Sequence, residues 1–547
     1  MIQRNLFFDT NAKKKVFYTF LFILVAFSIA LYGKGITPSF SSDDYVHLKR
    51  NISFKNAIQA LSVFTEFDGR EYRPLVRFTL WANSKMSASA LSFHATNVLL
   101  HILCTVLIFC ISLSMTRNLN HSFAGGILFA LLPIHSASIN FIMGRTDLLC
   151  ALFYLLSFWL FQIHLQKKNS RILYFISNIS FLIAVSSKEI AVSLPFLISV
   201  LVFLKSKQKN TVKRLVESIK TTIPFWLISI IYIFIRILSW AGDAQSVAVY
   251  TNYSVKHVVK NFFMWFFALI YPFDLYKART FSENNILLFS GFLLLCSCLI
   301  LLFIVFIIGK NKVLVFIKNR YFILGVTWFI ATLSPVMGGG AHRWYLYLPS
   351  VSLSLIVLSL LDVVQEKRKK TLYVVLVIYL FFSCVQTLHR TYIWSKQDLI
   401  SQNFFSQIEK YGIQDLQKCY FINIPFGYKN AYLYTFQSLE SALFLKYGKN
   451  PEIIEVSHLN LSDKDNLKVE KSPGKLKFQL EIDDYSYFYF NFTTRNFPEP
   501  TQFNTGDLLL TINSLSKSKL VESYVVNIPN DLKVPIYYFD AKNIVKW

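Results

Sequence analysis

A series of long apolar runs limits what this chain can become. Runs of roughly 15–25 residues, the length a helix needs to cross a bilayer, occupy Val16–Tyr32, Asn97–Met115, Ser122–Ile142, Leu148–Leu165, Ile172–Ser187, Ile190–Leu204, Thr222–Trp240, Ile286–Ile308, Tyr321–Met337, Trp344–Leu361 and Leu372–Leu388. Hydrophobic residues fill 54% of the 547 positions, charged residues 16%, and Phe alone occurs 53 times. An ordinary soluble protein is about 25% charged. One water-surrounded core cannot hide that much apolar surface, so the chain reads as a polytopic α-helical membrane protein. Disordered, coiled-coil and disulfide-rich secreted classes are excluded with it. Six of the seven cysteines lie in or at the ends of apolar runs, leaving only Cys419 in a polar region. That pattern offers neither a disulfide framework nor a zinc site.

Lys and Arg number 56 against 31 acidic residues, a net charge of +25. The basic clusters are short loops between apolar runs, where they set topology and face anionic lipid; no nucleic-acid module surrounds them, so no nucleic-acid partner is expected. Lys13-Lys14-Lys15 precede the first run, which places the N-terminus in the cytoplasm. Arg117, then Lys167, Lys168 and Arg171, then Lys205 through Arg214 follow the second, fourth and sixth runs on the same side. A further run, Phe262–Phe273, is short and ends in Tyr271-Pro272-Phe273-Asp274. If it crossed, Lys310, Lys312, Lys318 and Arg320 and the cluster Glu366–Lys370 would both face outward. The positive-inside rule therefore predicts about eleven spans, with Phe262–Phe273 lying on or dipping into the outer face and the C-terminus extracytoplasmic. Val16–Tyr32 lacks an A-x-A-like cleavage site and reads as a retained signal anchor.

The domain layout follows. Residues 1–388 form the membrane module, with 33–93 as a first large outer loop and 241–285 as a second. Residues 389–547 form an extracytoplasmic soluble domain. Period-two, aromatic-rich stretches at Cys419–Ile424, Lys475–Ile482, Tyr485–Phe492, Leu508–Ile512 and Val534–Phe539 predict a small β-rich or α+β fold, preceded by a helix near Gln397–Lys410. No repeat of 20–50 residues occurs.

Polar residues in or at the ends of membrane helices are costly and need a reason. Under this topology they gather at the outer side: Asp43 and Asp44; Arg73 and Arg77; His94, Asn97 and His101, spaced for one helix face; His135; Arg145 and Asp147; Lys188 and Glu189; and Arg343 with Tyr345 and Tyr347. Each has a structural alternative. Asp43 and Asp44 suit a helix cap, Arg145/Asp147 and Lys188/Glu189 suit hairpin salt bridges, the histidines suit interhelical contacts, and Arg343 can snorkel. Taken together, arginines, a lysine and histidines suit a phosphate anion. Paired carboxylates suit a general base or the ligands of a divalent cation, magnesium or manganese. No P-loop or strand-linked G-x-G-x-x-G occurs, so an enzyme here draws on an activated donor already in the membrane. A polyprenyl-phosphate sugar fits.

At these residues the sequence resembles a known family. Phe40-Ser41-Ser42-Asp43-Asp44-Tyr45 and Tyr72-Arg73-Pro74-Leu75 resemble the first outer loop of GT-C fold glycosyltransferases, specifically the branch of TMTC-type (transmembrane and tetratricopeptide) O-mannosyltransferases and their bacterial relatives. His94-x-x-Asn97-x-x-x-His101, Leu132-Pro133-Ile134-His135, Gly144-Arg145-Thr146-Asp147, Ser187-Lys188-Glu189 and Arg343-Trp344-Tyr345-Leu346-Tyr347 continue the series in order. The resemblance covers about residues 1–390. It implies a GT-C-like module and an inverting transfer from an undecaprenyl- or dolichyl-phosphate sugar to a protein or glycan acceptor. It also implies an acidic base in the first outer loop, which falls on Asp43 with Asp44 as neighbour. Arg343, Lys188, Arg145 and Arg73 are the candidates for the donor phosphate; His94, His101, His135, Asp147, Glu189 and Tyr347 support them. A bacterial plasma membrane is expected rather than the endoplasmic reticulum. The chain departs from the family in its tail, which has no tetratricopeptide repeats. The competing function classes are a transporter or flippase, which calls for internal hydropathy symmetry and midplane charges, and a non-catalytic assembly protein for lipid-linked envelope glycans.

Overall fold

The computed structural model describes residues 11–66, 72–167, 170–240, 254–271, 286–339, 342–429, 431–435, 437–463, 467–481, 486–490, 501–516 and 520–547. Glu71, much of the expected loop 241–285 and the ends of two expected strands lie outside them. In chain order the helices are α1 (Asn11–Tyr32), α2 (Asp43–Ile52), α3 (Ala57–Leu61), α4 (Pro74–Met86), α5 (Ala90–Thr116), α6 (Leu119–Leu131), α7 (Ser136–Asn140), α8 (Arg145–Gln166), α9 (Arg171–Val185), α10 (Leu194–Lys205), α11 (Thr211–Trp240), α12 (Val255–Ile270), α13 (Ile286–Ile308), α14 (Val313–Ile317), α15 (Arg320–Leu333), α16 (Val351–Val363), α17 (Glu366–Lys410) and α18 (Ser438–Tyr447). The chain divides into two compact units. The first holds Met1–Lys34, Asn56–Ala82 and Phe93–Arg390; the second holds Gly35–Lys55, Asn83–Ser92 and Thr391–Trp547. Part of the expected first outer loop, including Asp43 and Asp44, thus belongs with the C-terminal residues.

The first unit is helical. Among the described residues, seven helices are long and apolar enough to cross a membrane: α1, α5, α8, α11, α13, α16 and α17. The number rises to nine if two bent pairs each count as one span: α6 with α7, bent by 43°, and α14 with α15, bent by 59°. The first bend falls at Pro133, which lacks a backbone N–H and pushes Leu132 into an extended conformation. The other two expected spans correspond to α9 and to α10 with the short 3-10 turn Glu189–Ser193 before it; the two helices have 15 and 12 residues, below the usual spanning length.

One end of this unit collects the basic loops. Gln166 donates to Ser114 O at 2.9 Å, Arg214 to Phe203 O at 2.7 Å, Arg320 to Met115 O at 3.4 Å, and Lys312 to Val363 O at 3.1 Å. Arg368 donates to Phe306 O. The opposite end holds the first turn of α8. Between them runs α12. Its Asn261 amide donates to Met337 O and Gly339 O at 3.1 and 2.9 Å, and Trp265 Nε1 donates to His342 O at 3.2 Å. Near its C-terminus, Leu269 O accepts from Tyr379 at 3.4 Å, partway along α17. At 16 residues, or about 24 Å, α12 is shorter than a full crossing.

The expected last span and the expected helix near Gln397–Lys410 are one continuous helix, α17, of 45 residues. No Gly or Pro interrupts it, and it stops where Gly412 adopts φ 62°, a conformation a glycine takes freely. Its length, about 67 Å, is twice a bilayer core.

The second unit is β-rich. Strands β1 (Lys418–Ile422), β4 (Glu452–Glu455), β12 (Ile536–Phe539) and β13 (Ile544–Lys546) form a sheet in the order β13-β12-β1-β4, with β1 parallel to both neighbours. A second sheet, β3-β2-β5-β8, comprises β2 (Ile424–Tyr428), β3 (Ala431–Tyr432), β5 (His458–Leu461) and β8 (Tyr487–Tyr489). The third, wholly antiparallel, runs β6-β7-β11-β10-β9 through β6 (Leu467–Ser472), β7 (Lys475–Leu480), β9 (Thr501–Thr505), β10 (Leu508–Leu515) and β11 (Val521–Asn527). The expected strand Cys419–Ile424 is two strands in two sheets. Asn423, at φ 59°, turns the chain from one to the other, and Asn is among the few residues that tolerate this region.

This unit buries a titratable pair. His458 Nε2 lies 3.6 Å from Glu455 Oε2, with the histidine fully buried and the glutamate nearly so. Burial pushes Glu455 up to about 7, against the pull of the Gln437 N–H, and lowers His458 to about 3. The signs oppose. Glu455, raised in the fold, contributes stability that is complete below its unfolded value and lost as pH rises through 7. His458, depressed, contributes stability present above its unfolded value and lost as pH falls towards 3. The two slopes cancel between about pH 4.5 and 6.5. Glu455→Gln should leave a unit that gains stability with pH across that window, and His458→Asn one that loses it. Hydrogen exchange of the β4 and β5 amides in the full chain, corrected for its intrinsic pH dependence, reads both slopes; parallel slopes for the two variants would exclude the two opposed shifts.

Candidate functional site

The Gly144-Arg145-Thr146-Asp147 segment is built from the backbone outward. A Cβ at Gly144 would lie 2.2 Å from Ser138 O, so only glycine lets the two stretches of backbone approach this closely. Asn97, on α5, donates to Phe141 O and Ile142 O at 3.0 and 3.2 Å and so satisfies the irregular backbone before α8. Arg145 is fully buried. Its Nε donates to Asn97 Oδ1 at 3.1 Å and its Nη2 to Phe93 O at 3.0 Å, and its guanidinium lies over the Phe93 ring. The charge expected to meet a phosphate is thus taken up by protein carbonyls. Arg145 ties α8 to the start of α5.

Asp147 and Lys188 form a buried ion pair at 2.7 Å, with side chains 6% and 2% exposed. The Lys188 ammonium also sits 4.8 Å from the centre of the Tyr345 ring. Arg73 meets both oxygens of Glu189 at 3.2 Å, and this pair is more open, at 17% and 26% exposure. Arg77, from the same loop, pairs with Glu66 at 2.8 Å. Leu75 N donates to Ser186 O at 3.2 Å, bringing the Tyr72-Arg73-Pro74-Leu75 and Ser187-Lys188-Glu189 motifs together. Arg343 opens the short 3-10 turn Arg343–Leu346, half-buried, two residues before the ring that covers Lys188. Arg73, Lys188, Asp147, Glu189, Arg343 and Tyr345 therefore all belong to the first unit.

The histidines lock helices together. Buried His101 is bonded through Nδ1 to Tyr347 Oη at 2.8 Å, and buried His135 through Nε2 to Ser350 at 2.9 Å. The two imidazoles are 5.4 Å apart, with Phe129 and Tyr347 around them and Tyr32 edge-on to His101. His94 is also buried.

Asp43 and Asp44 belong to the second unit and have different surroundings. Asp44 is wholly buried; the Ser41 N–H and hydroxyl donate to its Oδ2 at 3.0 and 3.1 Å, so its carboxylate holds the turn that leads into α2. Asp43, the first residue of α2, is exposed and accepts the Thr435 hydroxyl on Oδ1 at 3.1 Å. One carboxylate faces the core and the other faces outward, so the pair does not fit a shared divalent ion. Among the described residues no group of three or more His, Cys, Asp or Glu could hold a metal. Sequence reasoning missed Thr435, 392 positions away, for which the sequence carries no signal.

These features define a multi-pass membrane protein with a β-rich soluble unit. No family model matches the chain. It is similar to a protein O-mannosyl-transferase of Caenorhabditis elegans, 29% identical over 147 residues, covering 24% of this chain and 21% of that protein. It is also similar to protein O-mannosyl-transferase TMTC1 of Homo sapiens, 31% identical over 149 residues, covering 25% and 17%, and to TMTC4 of Homo sapiens, 34% over 104 residues, covering 16% and 14%. The chain thus matches 14–21% of the length of these curated relatives. Among solved structures, an Archaeoglobus fulgidus oligosaccharyltransferase tethered to an acceptor peptide aligns over 80% of this chain and 64% of its own, with a TM-score of 0.40 and 9% identity.

The Asp147–Lys188 pair separates a structural from a functional role. Removing one partner strands a buried charge, at a cost of about 3–5 kcal/mol. Lys188→Met and Asp147→Asn should each lower the yield of folded protein, and the double variant should recover it. If the recovered double variant were also fully active, Lys188 would be a structural group alone.

Proposed function

We propose that this chain is a membrane glycosyltransferase of the GT-C type. It transfers a sugar, with inversion, from a polyprenyl-phosphate donor to an extracytoplasmic protein or glycan acceptor. The reading draws on the similarity to protein O-mannosyl-transferases and on the ordered motifs of the first outer loop. Its carrying observation is the division of labour between two adjacent acids: Asp44 is buried and bonded to Ser41, while Asp43 keeps an exposed carboxylate. Asp43 is assigned the general base. It takes the proton of the acceptor hydroxyl as that oxygen attacks the anomeric carbon, and the bond pair of the glycosyl–phosphate link leaves with the polyprenyl phosphate.

The leaving phosphate gains negative charge, and a fixed cation in a dry site stabilises it chiefly in the transition state. Arg343 is the first candidate, since a guanidinium grips phosphate through two N–H groups. Lys188 is second and Arg73 third, each already balanced by a carboxylate. Arg145 is assigned to the scaffold.

Asp43→Asn should cut turnover by about 10²–10⁴-fold, the usual cost of losing a general base, with the folded protein recovered in wild-type yield. Asp44→Asn should instead lower the yield. Release of labelled polyprenyl phosphate by purified protein measures the first effect. Near-wild-type turnover by Asp43→Asn would remove the base assignment. A second expectation concerns Arg343: Arg343→Lys should already lose activity, because a point charge replaces a fork, and Arg343→Ala should lose more. Full activity in both would move the phosphate contact to Lys188.

A further inference from the structure

We infer that Thr435 of the C-terminal unit is the positioning residue for Asp43, which makes that unit part of the transfer machinery. This rests on the reading of Asp43 as the base. The observations come from the second unit alone. The Thr435 hydroxyl donates to Asp43 Oδ1 at 3.1 Å and lies 2.9 Å from the Ser42 hydroxyl. The Ser42 hydroxyl also donates to Oδ1, at 3.3 Å, so two hydroxyls bond one carboxylate oxygen and Thr435 makes the shorter bond. Oδ2 carries no hydrogen bond among the described residues, so it is the atom left to take a proton.

The backbone is held as firmly as the side chain. Ser42 sits at φ 48° and ψ −123°, a conformation that disfavours any side chain. Strain of this kind persists only where surrounding contacts impose it. Here Ser42 N donates to Leu433 O at 2.6 Å, two residues before Thr435. Tyr45, one turn into α2, stacks on Tyr434 at 6.0 Å and is buried in the core of the C-terminal unit. Residues 433 to 435 therefore fix the start of α2 at three successive points: a backbone bond, a ring contact and a hydroxyl on the acid.

Asp43 is otherwise an exposed side chain held only by the longer Ser42 bond. Pinning Oδ1 leaves Oδ2 in one direction, towards the acceptor hydroxyl. In the step itself Thr435 keeps its own proton. Oδ2 receives the acceptor's proton, the acceptor oxygen bonds to the anomeric carbon, and the polyprenyl phosphate departs with the electrons of the broken bond. Misplacing a reacting group by about 1 Å costs up to about 10²-fold in rate.

The test compares Thr435→Val, which keeps the shape and loses the hydroxyl, with Thr435→Ser, which keeps the hydroxyl. Both are made in the full chain and assayed with whichever polyprenyl-phosphate hexose the wild type turns over. Thr435→Val should lose about tenfold or more in kcat with donor KM unchanged, and Thr435→Ser should restore most of it. Should Thr435→Val not fold, Ser42→Ala removes the other hydroxyl that contacts Thr435 and Asp43 Oδ1, and a fall in kcat at constant KM is again expected. Wild-type kcat in a folded Thr435→Val, or in Ser42→Ala as its substitute, alongside an inactive Asp43→Asn, would overturn the positioning role and leave the base in place. An active Asp43→Asn, or a wild type inactive on every donor, would overturn the reading beneath it.

Discussion

A charge surrounded by hydrocarbon must be matched by a partner within reach, and the helical unit is organised around that requirement. Lys188 enters the interior because Asp147 is there to receive it at 2.7 Å. Asp147 is in place because Gly144 lets the preceding backbone come close and Arg145 ties the first turn of α8 to α5. The Arg73–Glu189 pair then joins the loop before α4 to the break between α9 and α10. Removing any member leaves a buried charge or an unsatisfied backbone, so the cluster has structural value whatever else it does. The same arrangement leaves cations and an aromatic ring near one end of the bundle, which is the chemistry a lipid phosphate requires.

The second unit applies a different constraint to a neighbouring pair of acids. Asp44 is drawn inward to accept the Ser41 N–H and hydroxyl, while Asp43, one residue earlier at the first position of α2, stays exposed. A single helix terminus thus divides adjacent, chemically identical side chains between scaffold and exposed group. The fixation comes from residues 433–435, far away in sequence. The proposed base therefore belongs to the β-rich unit of the chain.

Much of this was legible in the sequence where the signal is local. Long apolar runs announced the helices, and period-two aromatic stretches announced β7, β8, β10 and β12. Signals failed where tertiary context decides. The split of Cys419–Ile424 into two strands depends on one positive-φ Asn423. The fusion of the last span with the following helix depends on an uninterrupted register that a polar stretch disguised. At the site, the sequence brought Asp147, Lys188, Arg73 and Glu189 under suspicion, but only the structure shows which acid meets which base. Arg145 was a candidate phosphate ligand by its motif, and the sequence did not show that its guanidinium meets the Asn97 amide oxygen and the Phe93 carbonyl. His94, Asn97 and His101 had the spacing of one helix face; in the structure His101 bonds Tyr347, and His135, a separate candidate, bonds Ser350.

The decisive measurement is the fate of the donor. Purified protein, reconstituted in lipid, is given a panel of polyprenyl-phosphate sugars labelled in both the sugar and the phosphate, beside the corresponding nucleotide sugars. A lipid-linked glycosyltransferase consumes one or more of the lipid-linked donors, releases polyprenyl phosphate, and leaves the nucleotide sugars untouched. Transfer from a nucleotide sugar, or movement of an intact lipid-linked donor across the bilayer with its glycosyl bond unbroken, would contradict it.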